Sequence, residues 1–276
     1  MKYSSSFIIS AFRETWYSLQ GYSSQLTDDQ WEAPSDCPGW SVKDVLSHLV
    51  GTERHLLGES TPILDESEMP DHVKNDIGRL NEAWITELRD LSGAQVLAIF
   101  ENVTIARLNF LEELSEEQFD EDADLPVGKG TYRDFMAMRV MDCFVHEQDI
   151  RKSTGGSFLP HDRSGRIAIE QLSSGLGYVI GKKLKPPEGA VIRVDVTQGE
   201  QVIASNRLQM QGSRAMYVKD GDVGVDDAAL VCSFEAFVFA TAGRIGAQAY
   251  LLDGSVRFEG DVDLGLALYT NFGFLI

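Results

Sequence analysis

The sequence predicts an N-terminal four-helix bundle followed by an α+β domain. Three observations carry that prediction. Residues 7–154 keep a helical period almost throughout. Residues 190–261 instead break into short apolar runs separated by Gly-Glu, Gly-Asp and Asp-Gly turns. Charge divides the chain in the same place: residues 1–157 hold 13 Lys+Arg against 29 Asp+Glu, a net −16, which leaves −3 for residues 158–276. The join is expected within STGGSFLPHD, giving domains 1–157 and 158–276.

The first bundle helix is read in FIISAFRETWYSLQ. The second, SVKDVLSHLVGTERHLLG, has the clearest start: Pro38-Gly39 form a turn, Ser41 is an N-cap, and Asp44 completes a capping box with its carboxylate near the positive helix end. AQVLAIFENVTIARLNFLEEL is the third, and the acidic stretch EELSEEQFDEDAD that overlaps its end reads as a solvated helix end and loop. The fourth, TYRDFMAMRVMDCFVHEQDIRKSTG, is apolar from Phe135 to Val145 yet sets Asp142, His146 and Asp149 along one side at steps of four and three. A further helix is expected at about 162–184. AVIRVDVT, QVIASNRLQM, AMYVKD, ALVCSF and SVRFEGD then read as strands, with two helices near EAFVFATAG and DLGLALYTNF.

Composition narrows the function. A net charge of −19 argues against nucleic acid, whose binding draws on Lys and Arg at the phosphates. No apolar run approaches the roughly 20 residues that span a bilayer, and the start has one basic residue and no small-residue cleavage site. A cytoplasmic protein with no membrane partner is expected, monomeric or homodimeric, acting on a small molecule. Cys37, Cys143 and Cys232 are too few and scattered for a disulfide framework, so reduced thiols are expected.

Asp142 and His146 project side by side at i and i+4. His48 sits at the edge of the second helix's apolar stripe and can close the site from a facing wall. Two histidines and one carboxylate suit zinc with a position left for water or substrate, and also non-haem iron. Two carboxylates and an imidazole buried without a partner would cost several kcal/mol, which favours a cation. The same spacing also fits a hydrogen-bonded Asp-His pair at a helix end.

SDCPGWSVKDVLSHLVGTERHLLG and RVMDCFVHEQDIRKSTGG resemble the actinobacterial mycothiol-dependent maleylpyruvate isomerase family, whose N-terminal part is a DinB-like four-helix bundle. Its opening motif falls on Cys37, Pro38, Gly39, Trp40, His48 and Leu49, and its closing motif on Asp142, His146, Asp149 and Arg151. The resemblance implies zinc ligands His48, Asp142 and His146. It departs at Asp142, where the best-known member carries Glu, one methylene longer. ATAGRIGAQAYLLDGSVRFEGDVDLGLAL is similar to the sterol-carrier-like domain that follows the bundle in the family. Arg244 there is expected to reach an interdomain cleft and hold an acidic substrate or thiol cofactor, or else to stabilise a helix C-terminus.

The family chemistry that the resemblance implies is activation of mycothiol, a low-molecular-weight thiol, for isomerisation or S-transfer on a small electrophile. Zinc lowers the pKa of a bound thiol, and the same ion could activate water instead, so a metal-dependent hydrolase is the alternative. A noncatalytic carrier of a small hydrophobic ligand is the alternative from a different class. Asp149 is expected to orient a ligand or the cofactor, or else to pair with Arg151 or Lys152. Glu53 could face the site or pair with Arg139 or Arg54. His55, about 10 Å along the helix from His48, is too far to share an ion. His72 and His161 read as surface residues, and Cys37 as a small buried turn residue. GKGT lacks the P-loop glycine five residues earlier, and the sequon at Asn102 carries no weight in a cytoplasmic protein.

Overall fold

A computed structural model describes residues 3–65, 69–126, 128–219 and 221–274. The backbone forms two compact units, Met1–Ala168 and Ile169–Ile276. That division lies later than the boundary at residue 157. Helix α8 (Arg163–Ser174) explains why: the Arg163 and Ser164 amides of its first turn donate to Glu14 Oε2 at 3.0 and 2.8 Å, and Ile167 enters the bundle core.

In the first unit, α1 (Ser5–Ser23), α3 (Val42–Leu56), α5 (Gly93–Glu113) and α7 (Tyr132–Ser153) are the four helices expected, with a single turn α2 (Asp28–Trp31) between the first two. Their inner stripes bury Phe12, Trp16, Leu46, Leu49, Phe100 and Val140 completely. The capping box at α3 forms as predicted, with the Asp44 amide donating to Ser41 Oγ at 3.1 Å and the Ser41 amide to Asp44 Oδ2 at 3.0 Å. Thr131 and Asp134 form another at α7.

Two features escape the periodicity. Helix α4 (Asp76–Leu88) packs on α3, where Gly51 admits Trp84; an added Cβ would lie 2.2 Å from the Trp84 Cβ. Its inward row mixes Glu82 with Ala83, Trp84, Ile85 and Leu88, which thins the apolar signal. The acidic stretch, read as a solvated loop, instead carries α6 (Glu116–Phe119) and β1 (Asp122–Leu125), and β1 pairs antiparallel with β2 (Gly128–Thr131). Phe119 is fully buried, and Arg133 of α7 holds Glu116 and Asp120 at 2.7 and 2.9 Å.

After α8 the second unit runs through α9 (Leu176–Tyr178) and a π-helical turn (Val179–Leu184) that ends at Lys185 in the left-handed region. The strands follow the prediction closely: β3 (Val191–Gln198), β4 (Gln201–Gln211), β5 (Arg214–Tyr217), β6 (Ala228–Ser233) and β7 (Val256–Gly260). They form one sheet in the order β5-β4-β3-β6-β7, antiparallel except for β3 and β6. Helices α10 (Phe234–Thr241) and α11 (Val262–Thr270) complete an α+β fold, joined by a 3₁₀ segment, Ile245–Leu251, and β7. Among the described residues no helix is long and apolar enough to cross a membrane.

Candidate metal centre

Helices α3 and α7 face each other in the bundle and bring three predicted residues together. His48, two turns into α3, is 5% exposed, and its Nε2 lies 3.3 Å from Asp142 Oδ2. His146, one turn beyond Asp142 on α7, sets its own Nε2 3.6 Å from Asp142 Oδ1. The two imidazoles meet edge to face at 4.8 Å, and one donor atom from each of the three residues lies within 4.8 Å of the others.

The protein orients these donors from behind. Asp149 is fully buried, and its Oδ2 accepts from His146 Nδ1 at 3.0 Å, which leaves the Nε2 lone pair for the site. The alternative surface pairing of Asp149 is replaced by other partners: Arg151 binds Glu147 at 2.9 Å and Lys152 binds Asp36 at 2.6 Å. Burial lowers the pKa of His48 despite the opposing Asp142 carboxylate, so the ring is neutral and able to ligate at neutral pH. Burial also works to raise Asp142, but the Arg139 guanidinium and the His146 and His48 rings outweigh it and hold this carboxyl well below its usual range. Replacement of Asp149 by Asn is expected to weaken divalent-metal affinity by roughly 10–100-fold, the usual worth of such a partner, in a chelator competition assay. Unchanged affinity would remove Asp149 from the support.

Several residues around the centre were read differently or not at all from the sequence. Glu53 is fully buried and pairs with Arg139 at 2.8 Å, as one reading had it, but also with Arg107 of α5 at 2.8 Å; Arg54 binds Glu59 instead. Arg107 shares an inward row with Val103, Thr104 and Leu111, and that position was its only signal. Cys37 is buried in its turn as expected, yet it also takes part in the site: its Sγ lies 3.4 Å from Asp149 Oδ2 and 4.0 Å from His146 Nδ1. Trp40 stands beside His48 and His146, at 5.4 and 6.3 Å between centroids, and its indole N–H donates to buried Glu82 at 3.3 Å. Two histidines read as surface residues are drawn inward by buried carboxylates. His72 lies 3.3 Å from Glu82, and His161 lies 2.8 Å from Glu147 with its side chain 9% exposed. His55 is exposed. Burial beside Trp16 pushes the Cys143 thiol up to about 12, as befits a packing residue.

The donor set fits a cation. Glu53, Asp142 and Asp149 supply three carboxylates against the two guanidiniums of Arg107 and Arg139, so counting carboxylates and guanidiniums alone the cluster is formally negative by one. His48 Nδ1 is buried without a hydrogen-bond partner among the described residues, and both Nε2 atoms converge on Asp142. Two imidazoles and a carboxylate match zinc or another divalent first-row ion.

Arg244 belongs to the second unit. It donates from Nη1 to the Ala242 carbonyl at 3.0 Å at the end of α10. It also lines a cavity of about 410 Å³ together with Lys183, Gln248, Tyr269 and Asn271.

Comparison with known proteins places the chain. The sequence profile of the mycothiol maleylpyruvate isomerase N-terminal domain matches residues 12–151. No curated protein sequence matches. Among solved structures, a mutant form of the mycothiol-dependent maleylpyruvate isomerase is 16% identical and covers 94% of this chain and 95% of its own, with a TM-score of 0.57. A second structure of that isomerase is also 16% identical, covering 88% and 90%, with a TM-score of 0.57. At this identity the likeness concerns the fold, across both units.

Proposed function

Because the chain belongs to the mycothiol maleylpyruvate isomerase N-terminal domain family, we propose that it is a metal-dependent enzyme that activates mycothiol for isomerisation or S-transfer on a small electrophile. His48, Asp142 and His146 would hold the ion, zinc in the first instance. The observation that carries this reading is the convergence of their donor atoms within 4.8 Å between α3 and α7.

A bound divalent ion with one open position lowers the pKa of an incoming thiol, so that the thiolate is present at neutral pH. The chain's own residues do the rest. Asp149 fixes the His146 ring and its tautomer. Trp40, anchored by Glu82, gives the two imidazoles an apolar flank that limits water at that side. The cluster's one net negative charge, counted over carboxylates and guanidiniums, would favour a cation held by His48, Asp142 and His146. Arg244, with Lys183 beside it in the second unit's cavity, is proposed to bind an acidic group of the substrate or of the thiol.

The test is direct. Purified protein is expected to carry close to one equivalent of zinc, and to turn over electrophiles such as maleylpyruvate only with mycothiol, both lost in His48→Ala. Metal far below one equivalent, unchanged by His48→Ala, would overturn the reading in favour of a noncatalytic binding protein. Thiol-independent hydrolysis of an amide or ester would assign a hydrolase instead.

A further inference from the structure

Asp142 has a third partner besides the two histidines, and it takes a particular oxygen. Arg139, one turn earlier on α7, donates from Nη1 to Asp142 Oδ2 at 2.5 Å, the oxygen that also lies 3.3 Å from His48 Nε2, while Oδ1, which faces His146 Nε2 at 3.6 Å, takes no guanidinium. The guanidinium is itself fixed from the other side. Its Nη2 donates to Glu53 Oε1 at 2.8 Å, and Glu53 Oε2 accepts from Arg107 Nε at 2.8 Å. The Arg139 side chain is 7% exposed and those of Glu53 and Arg107 are 0% exposed, so the chain Arg107–Glu53–Arg139–Asp142 is a packed arrangement rather than a mobile surface pair. A planar guanidinium whose two Nη groups are held by two different carboxylates is fixed in direction as well as charge.

Resting on the metal-centre reading above, we propose that Arg139 is a positioning residue that reserves Asp142 Oδ2, so that this carboxylate offers the ion only Oδ1. A carboxylate free at both oxygens can chelate one ion through both and fill a position that the incoming ligand needs. Arg139 prevents this and adds a fixed positive charge beside the open position. Its presence therefore opposes metal affinity while it keeps the coordination number low. A purely structural role has the opposite sign, because loosening the helix would weaken metal binding.

Cobalt(II) substituted into the full chain separates the two, since its visible absorption reports coordination geometry. Arg139→Gln is expected to bind cobalt severalfold more tightly, because a fixed positive charge near the ion is removed and a second carboxylate oxygen is freed. Its visible band should weaken severalfold as the second Asp142 oxygen joins the ion. Arg139→Lys keeps a charge one turn from Asp142 and should retain much of the wild-type band, whereas Arg139→Met, which removes the charge but keeps an apolar stem, serves if Arg139→Gln does not fold. An unchanged band in folded Arg139→Gln or Arg139→Met, or weaker cobalt binding by it, would overturn the proposal. Wild-type protein that takes up no stoichiometric cobalt would overturn the metal reading itself, and this inference with it.

Discussion

Asp142→Ala is expected to release the metal and abolish thiol-dependent turnover, while Asp142→Glu retains both. Asp142 is the one residue placed between the two imidazoles, with Oδ2 3.3 Å from His48 and Oδ1 3.6 Å from His146. Its removal deletes a donor and also takes the negative charge from beside two imidazoles and a guanidinium. The loss in affinity should therefore exceed the roughly 10–100-fold that removing an outer partner costs. Glu keeps the charge and adds one methylene, for which α7 has room because the Asp142 side chain retains 31% exposure. Metal content by mass spectrometry and affinity by chelator competition measure both variants. If Ala and Glu variants hold metal equally, the ligand set His48, Asp142 and His146 is wrong.

Glu53→Ala carries the largest expected effect on stability. Glu53 is the carboxylate shared by Arg107 and Arg139, each 2.8 Å away inside the bundle. Arg107 Nη1 and Arg139 Nε already lack partners among the described residues, so little else nearby can take over. Breaking a buried ion pair from one side costs on the order of 3–5 kcal/mol, because a charge is left uncompensated. At about 2–4 °C per kcal/mol for a unit of this size, the thermal midpoint should fall by roughly 6–20 °C. Glu53→Gln keeps an acceptor and the side-chain volume, and should lose less. Thermal unfolding followed by circular dichroism decides it, and a Glu53→Ala midpoint within about 2 °C of wild type, which corresponds to under about 1 kcal/mol, would mean that the two guanidiniums reach water.

The sequence by itself determined the bundle and the five strands of the sheet, and it singled out His48, Asp142 and His146, which the bundle brings together. Those depend on local rules: a 3.6-residue period, alternating strands between Gly turns, a capping box at Ser41 and Asp44, and the i, i+4 spacing of Asp142 and His146. Helix α4 and the β1–β2 hairpin were not legible, because Glu82 interrupts one apolar row and Asp, Gly and Lys fill the other ladder. Only the tertiary structure decided what stands behind these three residues. Asp149 and Cys37 are 112 residues apart, Glu53 and Arg139 86, and Glu53 and Arg107 54. No period or spacing encodes such pairs. A buried charge needs an opposite charge at hydrogen-bond distance, and which of several charged residues supplies it is fixed by how the helices pack. That is why Glu53 could be read as facing the site, pairing with Arg139 or pairing with Arg54, and why the packed bundle selects Arg139 and adds Arg107.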